Sequence, residues 1–301
     1  MGRLLRWLLL LGAALTALAF VYPPVRLAGL VMLGRGSHCS LAQAMASWRH
    51  TEALRAAKDR ILAASRRVKE EANFTQWETP YGLFWIPNGN DYVLPFNLAE
   101  QELKIYGTGE QAVRPGDVVL DCGASFGVFT REALRQGARL VVAIELAPDS
   151  IEVLKRNFAE EIRAGQVIVY EKGVWDRDDE LTLYVDPQNA AANSVLNRRE
   201  TSHASVKVPL TTIDKLVAEL KLERVDYIKM DIEGAEQRAL RGARETIRRF
   251  RPRLSLSAYH NPEDPRMIPE LVRAAWDGYR MECGPCADGT TFVRPDILYF
   301  R

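Results

Sequence analysis

Hydrophobic and polar positions follow two different patterns along the chain. From Val118 onward, short apolar runs alternate with stretches in which apolar residues recur at helical spacing. The runs are typical of buried strands, and their alternation with helices predicts a parallel sheet covered by helices. We expect an α/β domain over residues 76–301 with its core at 117–301. The predicted strands are 118–122, 140–145, 166–170, 181–185, 206–210, 225–230, 253–259, 279–282 and 296–300.

Before this domain the pattern changes twice. Residues 36–75 mix small apolar and basic residues, with Leu54 and Ile61 on one side of the projected helix, which predicts an amphipathic helical linker. Between residues 76 and 109, the sequence Pro-Asn-Gly at 87–89 predicts the turn of a hairpin, and a short helix follows it.

An uncharged apolar segment lies near the start of the chain. It runs from Trp7 to Tyr22, follows two arginines and ends at two consecutive prolines. A basic start before a short apolar run fits a cleaved secretory signal, and an uncleaved membrane anchor fits the length about equally well. A buried core helix fits less well, because no polar face recurs at helical period. We expect residues 1–35 to hold a membrane anchor or signal-like segment that associates the protein with a membrane.

Composition indicates a folded protein and gives no sign of nucleic-acid binding. The 301 residues are 47% hydrophobic and 26% charged, which excludes disorder, and the net charge of +1 is no basic excess. This neutrality averages two unlike parts. Residues 1–70 carry eleven Lys and Arg against three Asp and Glu, whereas the remainder has a net charge of −7. A basic, apolar arm suited to an anionic membrane surface therefore precedes a mildly acidic domain.

The four cysteines do not have the spacing of a disulfide framework. In a chain of this length we expect them to be reduced and the protein body to face the cell interior. Cys283 and Cys286 form one C-x-x-C pair, but zinc needs about two further ligands and the sequence contains no second pair. No metal site is predicted.

The stretch VVLDCGASFGVFT, residues 118–130, leads from an apolar strand through a glycine-rich turn into a helix. Gly123 and Gly127 let a ligand approach the backbone closely, and the helix N-terminus offers free N–H groups. The turn therefore predicts a nucleotide-like ligand. Ser125 stands where the dinucleotide fingerprint requires glycine, which disfavours a nicotinamide-dependent oxidoreductase.

Two further positions extend this predicted ligand site. Glu145 ends the next strand, where a carboxylate can accept both hydroxyls of a ribose, although a lone glutamate there is usually a solvated loop residue. After the third strand, the backbone of Gly173 and Val174 with the side chain of Trp175 could form a flat slot for an adenine ring. That Trp175 simply belongs to the core is an equally good interpretation.

The most distinctive stretch is DYIKMDIEGAE, residues 226–236. Lys229, Asp231 and Glu233 alternate along a strand and therefore project to one side near its carboxyl end, where open parallel sheets bind ligands. Charged groups so close together perturb one another's pKa values, which favours a catalytic role over a structural ion pair. His260 follows the next strand at the same end of the sheet and is a candidate base.

The order of these elements resembles the class I S-adenosylmethionine-dependent methyltransferases, and VVLDCGASFG, VPLTTIDKL and VDYIKMDIEGAE resemble the FkbM family. The resemblance covers residues 117–301. It implies a doubly wound, seven-stranded Rossmann-like sheet with an antiparallel last strand, here preceded by the N-terminal hydrophobic helix and helical linker. It also implies S-adenosylmethionine as cofactor. The candidate cofactor-binding residues are Asp121, Gly123, Ala124, Phe126, Gly127, Glu145, Leu146, Gly173, Val174 and Trp175.

The implied reaction is methyl transfer to a hydroxyl of a sugar, glycolipid or related metabolite. The protein must align the hydroxyl with the sulfonium methyl group and remove its proton. Asp231, Glu233 and His260 are the candidate bases, with Lys229 as an electrostatic partner, and a divalent cation between the carboxylates is the less favoured alternative. A membrane-tethered scaffold without catalysis is the rival function. Because the cofactor is cytosolic, we expect the catalytic domain on the cytoplasmic side.

Overall fold

The computed structural model of the protein describes residues 5–10, 12, 18, 22–186, 189–190, 193–196 and 204–301, without the side chains of 204 and 205. Nine of the sixteen residues in the apolar segment 7–22 lie outside this described part, and so does more than half of the polar stretch 186–205. Among the helices that the structure describes, none combines the length and the apolarity that a membrane crossing requires.

Helices and strands alternate through most of the chain from residue 22 onward. The helices are α1 (Pro23–Met32), α2 (Leu41–Ala63), α3 (Val93–Glu102), α4 (Val128–Arg135), α5 (Pro148–Asn157), α6 (Ala159–Arg163), α7 (Ile213–Glu219), α8 (Glu236–Arg241), α9 (Arg244–Phe250) and α10 (Asp264–Ala275). The strands are β1 (Arg66–Glu70), β2 (Phe74–Thr79), β3 (Gly82–Pro87), β4 (Val118–Cys122), β5 (Leu140–Ile144), β6 (Val167–Tyr170), β7 (Gly173–Val174), β8 (Asp179–Val185), β9 (Ala204–Thr211), β10 (Tyr227–Met230), β11 (Arg253–Ser257), β12 (Met281–Cys283), β13 (Cys286–Asp288), β14 (Val293–Pro295) and β15 (Ile297–Phe300).

The central sheet within the described residues has seven strands, in the order β12-β15-β11-β10-β4-β5-β6. The strands from β11 to β6 are parallel, and β15 pairs antiparallel with both of its neighbours. The seven-stranded α/β sheet with an antiparallel last strand is therefore confirmed. Strand β4 is the middle one of the five parallel strands, so the glycine turn that follows β4 opens at the centre of their carboxyl edge.

Helices bury the sheet on both faces. In β4, Leu120 packs into a cluster with residues of α7 to α10, whereas its neighbour Val119 packs into another cluster with Phe129 of α4. All five residues of β4 and all four of β10 are buried. Strands covered on both faces read as nearly continuous apolar runs, which is why the sequence pattern located them.

Two of the predicted strands lie outside the central sheet. The runs at 181–185 and 206–210 are present as parts of β8 and β9, which pair antiparallel with each other. With β7 they form a separate three-stranded sheet in the order β7-β9-β8. Antiparallel pairs are common in sheets with one solvated face, and β8 accordingly has only one fully buried residue, Leu183.

The helical prediction for residues 36–75 is wrong beyond Ala63. Helix α2 ends there, and β1 follows as an edge strand that pairs with β2. All five residues of β1 are exposed and four carry charge, so no apolar period marks this strand, while the charges protect its unpaired edge.

The hairpin turn lies seven residues before its predicted position. Strands β2 and β3 pair from Phe74–Pro87 to Thr79–Gly82, which places the turn at residues 80–81. The Thr79 hydroxyl stabilises it, because it donates to the Gly82 carbonyl at 2.8 Å and accepts from the Tyr81 amide at 3.1 Å. The Pro-Asn-Gly sequence at 87–89 instead ends β3.

Cys39 and Cys286 form a disulfide bond across 247 positions of sequence. The prediction that the cysteines are reduced is therefore wrong, and so is the treatment of Cys283 and Cys286 as one pair. Cys286 begins β13, and both cysteines belong to a small apolar cluster with Leu27 of α1 and Val293 of β14. Cys122 and Cys283 are free thiols.

Candidate functional site

The glycine turn after β4 is held tightly against the neighbouring strands. Gly123 has φ of +79°, and a Cβ atom there would lie 1.9 Å from the Asp231 carbonyl oxygen. The amides of Gly123 and Ala124 both donate to the Ile144 carbonyl, at 3.0 and 3.1 Å. Ser125 follows with φ of +49°, and its amide donates to Glu145 Oε2 at 2.9 Å. The turn therefore needs glycine where it passes β10, and it stores strain at Ser125.

A large cavity of about 470 Å³ lies at the carboxyl ends of β4 and β10. We call it the large cavity. Its charged lining consists of Glu100, Lys229, Asp231, Glu233 and Asp296. Aromatic side chains supply much of the remaining wall, and α2 adds His50 and Leu54. The aromatic residues are Tyr92, Phe96, Tyr106, Phe129 and Tyr259.

A narrow cleft of about 60 Å³ lies beside the large cavity, between the ends of β4, β5 and β7. Its wall includes the carboxylate of Glu145, the backbone of Gly173 and residues 193–195. Gly123, Ser125, Asp231 and Glu233 line both spaces, so the narrow cleft and the large cavity meet at two carboxylates. This junction is the central feature of the site.

Asp231 is oriented by two phenols at the junction. Its Oδ2 accepts from the Tyr106 hydroxyl at 2.7 Å, and its Oδ1 accepts from the Tyr259 hydroxyl at 3.3 Å. Burial alone would raise the pKa of Asp231, but the nearby His260 and Lys229 lower it below its ordinary value. The same burial, together with the Asp231 charge, raises the pKa of both tyrosines well above 10, so they remain donors.

Lys229 holds the glycine turn rather than pointing freely into the cavity. Its ammonium group donates to the carbonyls of Cys122 and Gly123, at 3.3 and 2.8 Å, and lies 3.2 Å from Asp121 Oδ1. Burial alone would lower the pKa of Lys229, but the carboxylates of Asp121 and Asp231 outweigh it and raise the pKa. Lys229 is therefore charged and positions the turn.

His260 lies among three carboxylates. Its Nδ1 is 3.0 Å from Glu236 Oε1, and its Nε2 is 3.4 Å from Glu233 Oε1 and 3.6 Å from Asp231 Oδ1. Burial alone would lower the pKa of His260, but Glu233 and Glu236 raise it to about 11. A protonated imidazole has no lone pair with which to accept a proton, so this arrangement does not present His260 as a free base.

Glu145 has the position that the sequence predicted, at the end of β5 and in the wall of the narrow cleft. Besides the Ser125 amide, its carboxylate accepts the amides of Leu146 and Ala147, at 2.7 and 2.9 Å. Burial raises the pKa of Glu145, and these three N–H donors oppose the increase. Two carboxylate oxygens offer about four acceptor positions, which leaves capacity for a ligand hydroxyl.

The structure brings six of the candidate cofactor-binding residues to the two spaces. Gly123, Glu145, Leu146, Gly173 and Val174 line the narrow cleft, and Ala124 lines the large cavity. The other four are buried behind them. Asp121 accepts from Thr130 beneath the turn, Phe126 and Trp175 belong to apolar clusters, and a Cβ at Gly127 would lie 2.1 Å from Phe158.

Sequence reasoning missed the residues that come from outside the motifs. Glu100 belongs to α3 and Tyr106 follows that helix. Asp296 precedes β15, and Tyr259 is the neighbour of His260. Burial and the Asp231 charge raise the pKa of Glu100 well above its ordinary value. Tyr259 alone had a usable signal, since it follows β11 at the same sheet edge as His260.

The strand order, the central glycine turn and the strand-end carboxylate define a Rossmann-like methyltransferase fold. Residues 121–281, more than half of the chain, match the sequence profile described as the methyltransferase FkbM domain. The chain belongs to the FkbM methyltransferase family.

Solved structures are similar to this chain at low sequence identity. Methyltransferase FkbM from Methylobacillus flagellatus is 18% identical with a TM-score of 0.45, covering 84% of this chain and 59% of that protein. Fibrillarin from Aeropyrum pernix with bound S-adenosylmethionine is 14% identical with a TM-score of 0.41, covering 78% and 96%. TYW2 from M. jannaschii in complex with AdoMet is 15% identical with a TM-score of 0.39, covering 77% and 85%. This chain thus spans about three fifths of the Methylobacillus protein. No curated protein sequence matches it.

Proposed function

We propose that the protein transfers a methyl group from S-adenosylmethionine to a hydroxyl of a sugar, glycolipid or related metabolite. The observation that carries this proposal is the junction between the narrow cleft and the large cavity. A methyltransferase needs a donor site and an acceptor site that meet at a group able to remove a proton. Asp231 and Glu233 line both spaces, in a chain of the FkbM family.

The narrow cleft suits the donor by its chemistry. Glu145 can accept a ribose hydroxyl, and the backbone of Gly173 and Val174 can meet the edge of an adenine ring. When bound, the cofactor supplies the electrophilic methyl carbon. At about 60 Å³ the cleft can hold only part of the molecule, and the remainder would extend through the junction toward the large cavity.

Asp231 is the residue that the geometry favours for proton removal. Tyr106 and Tyr259 fix its carboxylate at the junction. With the cofactor bound, Asp231 would accept the hydroxyl proton as the acceptor oxygen takes the methyl group and the cofactor leaves as a thioether. Lys229 supports this geometry because it holds the glycine turn beside Asp231.

The large cavity favours an uncharged, hydroxyl-bearing acceptor. Its carboxyl groups at Glu100, Asp231 and Asp296 can accept hydrogen bonds from hydroxyls, and its aromatic side chains can pack against the apolar faces of a sugar ring. Lys229 is already paired with Asp121. The acidic lining repels phosphate groups, which argues against a nucleic-acid substrate.

Methyl transfer can be tested directly. Purified protein is incubated with S-adenosylmethionine labelled in its methyl group and with glycan, lipid and small-molecule fractions of the source cell. We expect label in a hydroxyl-bearing fraction, and calorimetry should detect binding of S-adenosylhomocysteine. Binding without transfer to any fraction would favour a scaffold, and absence of binding would overturn the proposal.

Asp231→Asn tests the assignment of the residue. Turnover should fall by at least 10²-fold while S-adenosylhomocysteine binding is retained, because general-base catalysis contributes about 10²–10⁴-fold. Asp179→Asn, which changes a half-buried carboxylate paired with Arg177, is the matched control and should keep full activity. Undiminished turnover in the Asp231 variant would remove Asp231 from the mechanism.

We also propose that the N-terminal arm associates with a membrane and leaves the catalytic domain facing the cytoplasm, where the cofactor is made. This placement requires the bond between Cys39 and Cys286 to persist in a reducing compartment. The arm is basic, and four apolar side chains at the ends of α1 and α2 are exposed: Met32, Leu33, Leu41 and Met45. The full chain should float with vesicles containing anionic lipid, and deletion of residues 1–22 should weaken this association at least tenfold. Equal flotation of both proteins would contradict the role of the arm.

A further inference from the structure

A cluster of potential metal ligands lies behind the junction. Asp231, Glu236 and His260 each place one ligand atom within 4.8 Å of the other two. Glu236, the first residue of α8, has no exposed surface, and the side chain of His260 is 7% exposed. Asp231 is the member that reaches the large cavity, which gives a path by which an ion can enter.

The polar atoms of this cluster lack ordinary partners. Glu236 Oε2 and both ring nitrogens of His260 are buried and make no hydrogen bond. Carboxylate oxygens lie 3.0 to 3.6 Å from the two ring nitrogens, but none is placed to accept an N–H hydrogen bond. Buried polar groups nearly always have a partner, so Glu236 Oε2, which has none, and the ring nitrogens, which have only ion-pair contacts, indicate a group that binds among them.

Distances and charge are both consistent with a metal ion. Ligand atoms about 2.0–2.2 Å from one ion are separated from each other by roughly 3.0 to 3.6 Å. His260 Nε2 lies 3.6 Å from Asp231 Oδ1, at the edge of that range, and one ligand atom from each of the three residues lies within 4.8 Å of the other two. A metal ion would take the place of the imidazole proton, because a histidine that ligates a metal is neutral. The three carboxylates around the ring, with Glu233 included, then carry a formal charge of about −3, which a divalent cation would reduce to about −1.

We propose that Asp231, Glu236 and His260 bind one divalent cation at the junction of the two cavities. One imidazole nitrogen with carboxylate oxygens is a ligand set that suits ions such as Mn²⁺ or Zn²⁺, whereas Mg²⁺ binds nitrogen more weakly. The position open toward the large cavity is available to a water or to an acceptor oxygen.

The ion's role rests on the proposed function. A bound cation lowers the pKa of a hydroxyl that it coordinates and fixes the orientation of its oxygen. Asp231 would ligate the ion through one carboxylate oxygen and, because it lines both spaces, remain the group that receives the acceptor proton. The presence of the site does not depend on this role and can be measured separately.

Metal binding is tested on the full chain after treatment with EDTA and removal of the chelator. Mn²⁺ is added, and electron paramagnetic resonance measures the free ion. We expect about one Mn²⁺ per chain, and at least tenfold weaker binding in Glu236→Gln and in His260→Asn. Glu263→Gln, which changes an exposed carboxylate paired with Arg266, should bind as the unaltered protein does.

Binding of S-adenosylhomocysteine to each variant reports whether its fold is intact, and the absorption spectrum of bound Co²⁺ tests the ligand set in the unaltered protein. Failure to bind Mn²⁺, Zn²⁺ or Mg²⁺ at millimolar concentration, while S-adenosylhomocysteine still binds, would overturn the metal site and leave the methyltransferase proposal standing. Undiminished Mn²⁺ binding in both cluster variants would also overturn it. If the unaltered protein does not bind S-adenosylhomocysteine, that result contradicts the proposed function instead.

Discussion

Two non-glycine residues with positive φ lie at the same place in the molecule. Ser125 and Glu233 have φ of +49° and +55°, and both line the narrow cleft and the large cavity. Such conformations cost about 1–3 kcal/mol each and persist where the surroundings enforce them. Here the turn around Gly123 and the loop after β10 enforce them, and the carboxylate of Glu233 is thereby directed to the junction.

Gly123→Ala should disrupt this turn. The added Cβ meets the Asp231 carbonyl at 1.9 Å, so strands must separate, and we expect a loss of more than about 3 kcal/mol in the free energy of unfolding. Gly165 has φ of +72° with nothing within 4 Å, so Gly165→Ala carries only the conformational cost of about 1–2 kcal/mol. Urea unfolding measures both variants. Equal losses would mean that the close approach at Gly123 is not rigid.

Asp296 should make stability depend on pH. Burial, reinforced by the Asp231 charge, raises its pKa to about 7 against the opposing effect of Arg294. The folded state therefore holds a proton that the unfolded chain releases near its ordinary value of 3.8, so the free energy of unfolding falls as pH rises from about 4 to 7.

Asp296→Asn removes this dependence. At pH 8 the variant should be more stable than the unaltered protein by up to about 4 kcal/mol, and at pH 4 the two should differ little. Urea unfolding at a series of pH values provides the measurement. A variant that is less stable at pH 8 would show that the ionised carboxylate is favourably bound in the folded protein.

Helix α2 belongs to the folded domain rather than to a free linker. It begins with a capping box between Ser40 and Gln43, and Ile61 packs without exposure against Phe84 of β3 and Leu94 of α3. Because α2 also supplies His50 and Leu54 to the large cavity, its packing bears on the site.

The adjacent residues Ile61 and Leu62 form a matched pair for this helix. Ile61→Ala should lower the free energy of unfolding by about 2–5 kcal/mol, because it leaves a cavity in the core. Leu62 is 38% exposed, and Leu62→Ala should cost less than about 1 kcal/mol. Similar losses in both variants would mean that the register of α2 differs from the one described.

The sequence predicted those elements whose burial produces an apolar pattern along the chain. Strands β4 and β10 are covered on both faces and appear as apolar runs. The charged residues Asp231 and Glu233 could be predicted as site residues because they directly follow the run of β10. Strand β1 shows no apolar pattern because all five of its residues are exposed. The separate pairing of β8 with β9 could not be predicted, since local periodicity identifies a strand but not its partner.

At the scale of the whole molecule, the disulfide should be detectable by counting thiols. The native chain unfolded in denaturant should react as two thiols, Cys122 and Cys283, and as four after reduction. Cys39→Ser should react as three and lose about 2–5 kcal/mol of stability, as is usual when a native disulfide is removed. Four reactive thiols without reduction would contradict the bond between Cys39 and Cys286.

The site combines residues that the sequence keeps far apart. The motif residues from 121 to 145 and from 226 to 236 were identifiable because each follows a strand of the same sheet edge. Tyr106 donates to Asp231, and Asp296 lines the same cavity, although the two residues lie near opposite ends of the domain sequence. Glu236 and His260 belong to one cluster although 24 positions separate them. Their convergence depends on the fold. The spacing of residues in the C-x-x-C pair or in the stretch 226–236 could therefore not have predicted it.

The bond between Cys39 and Cys286 also determines how the protein transmits force. With the bond intact, tension between residues 1 and 301 extends only the 38 residues before Cys39 and the 15 after Cys286, or about 180 Å of chain. The reduced chain would extend to about 1,000 Å. With the bond intact, this load passes from Cys39 to Cys286 and then through residues 287–301, which include β15 of the central sheet. The bond therefore limits how far a pulled chain can lengthen, and load applied at residue 301 is resisted by the pairing of β15 with β11 and β12.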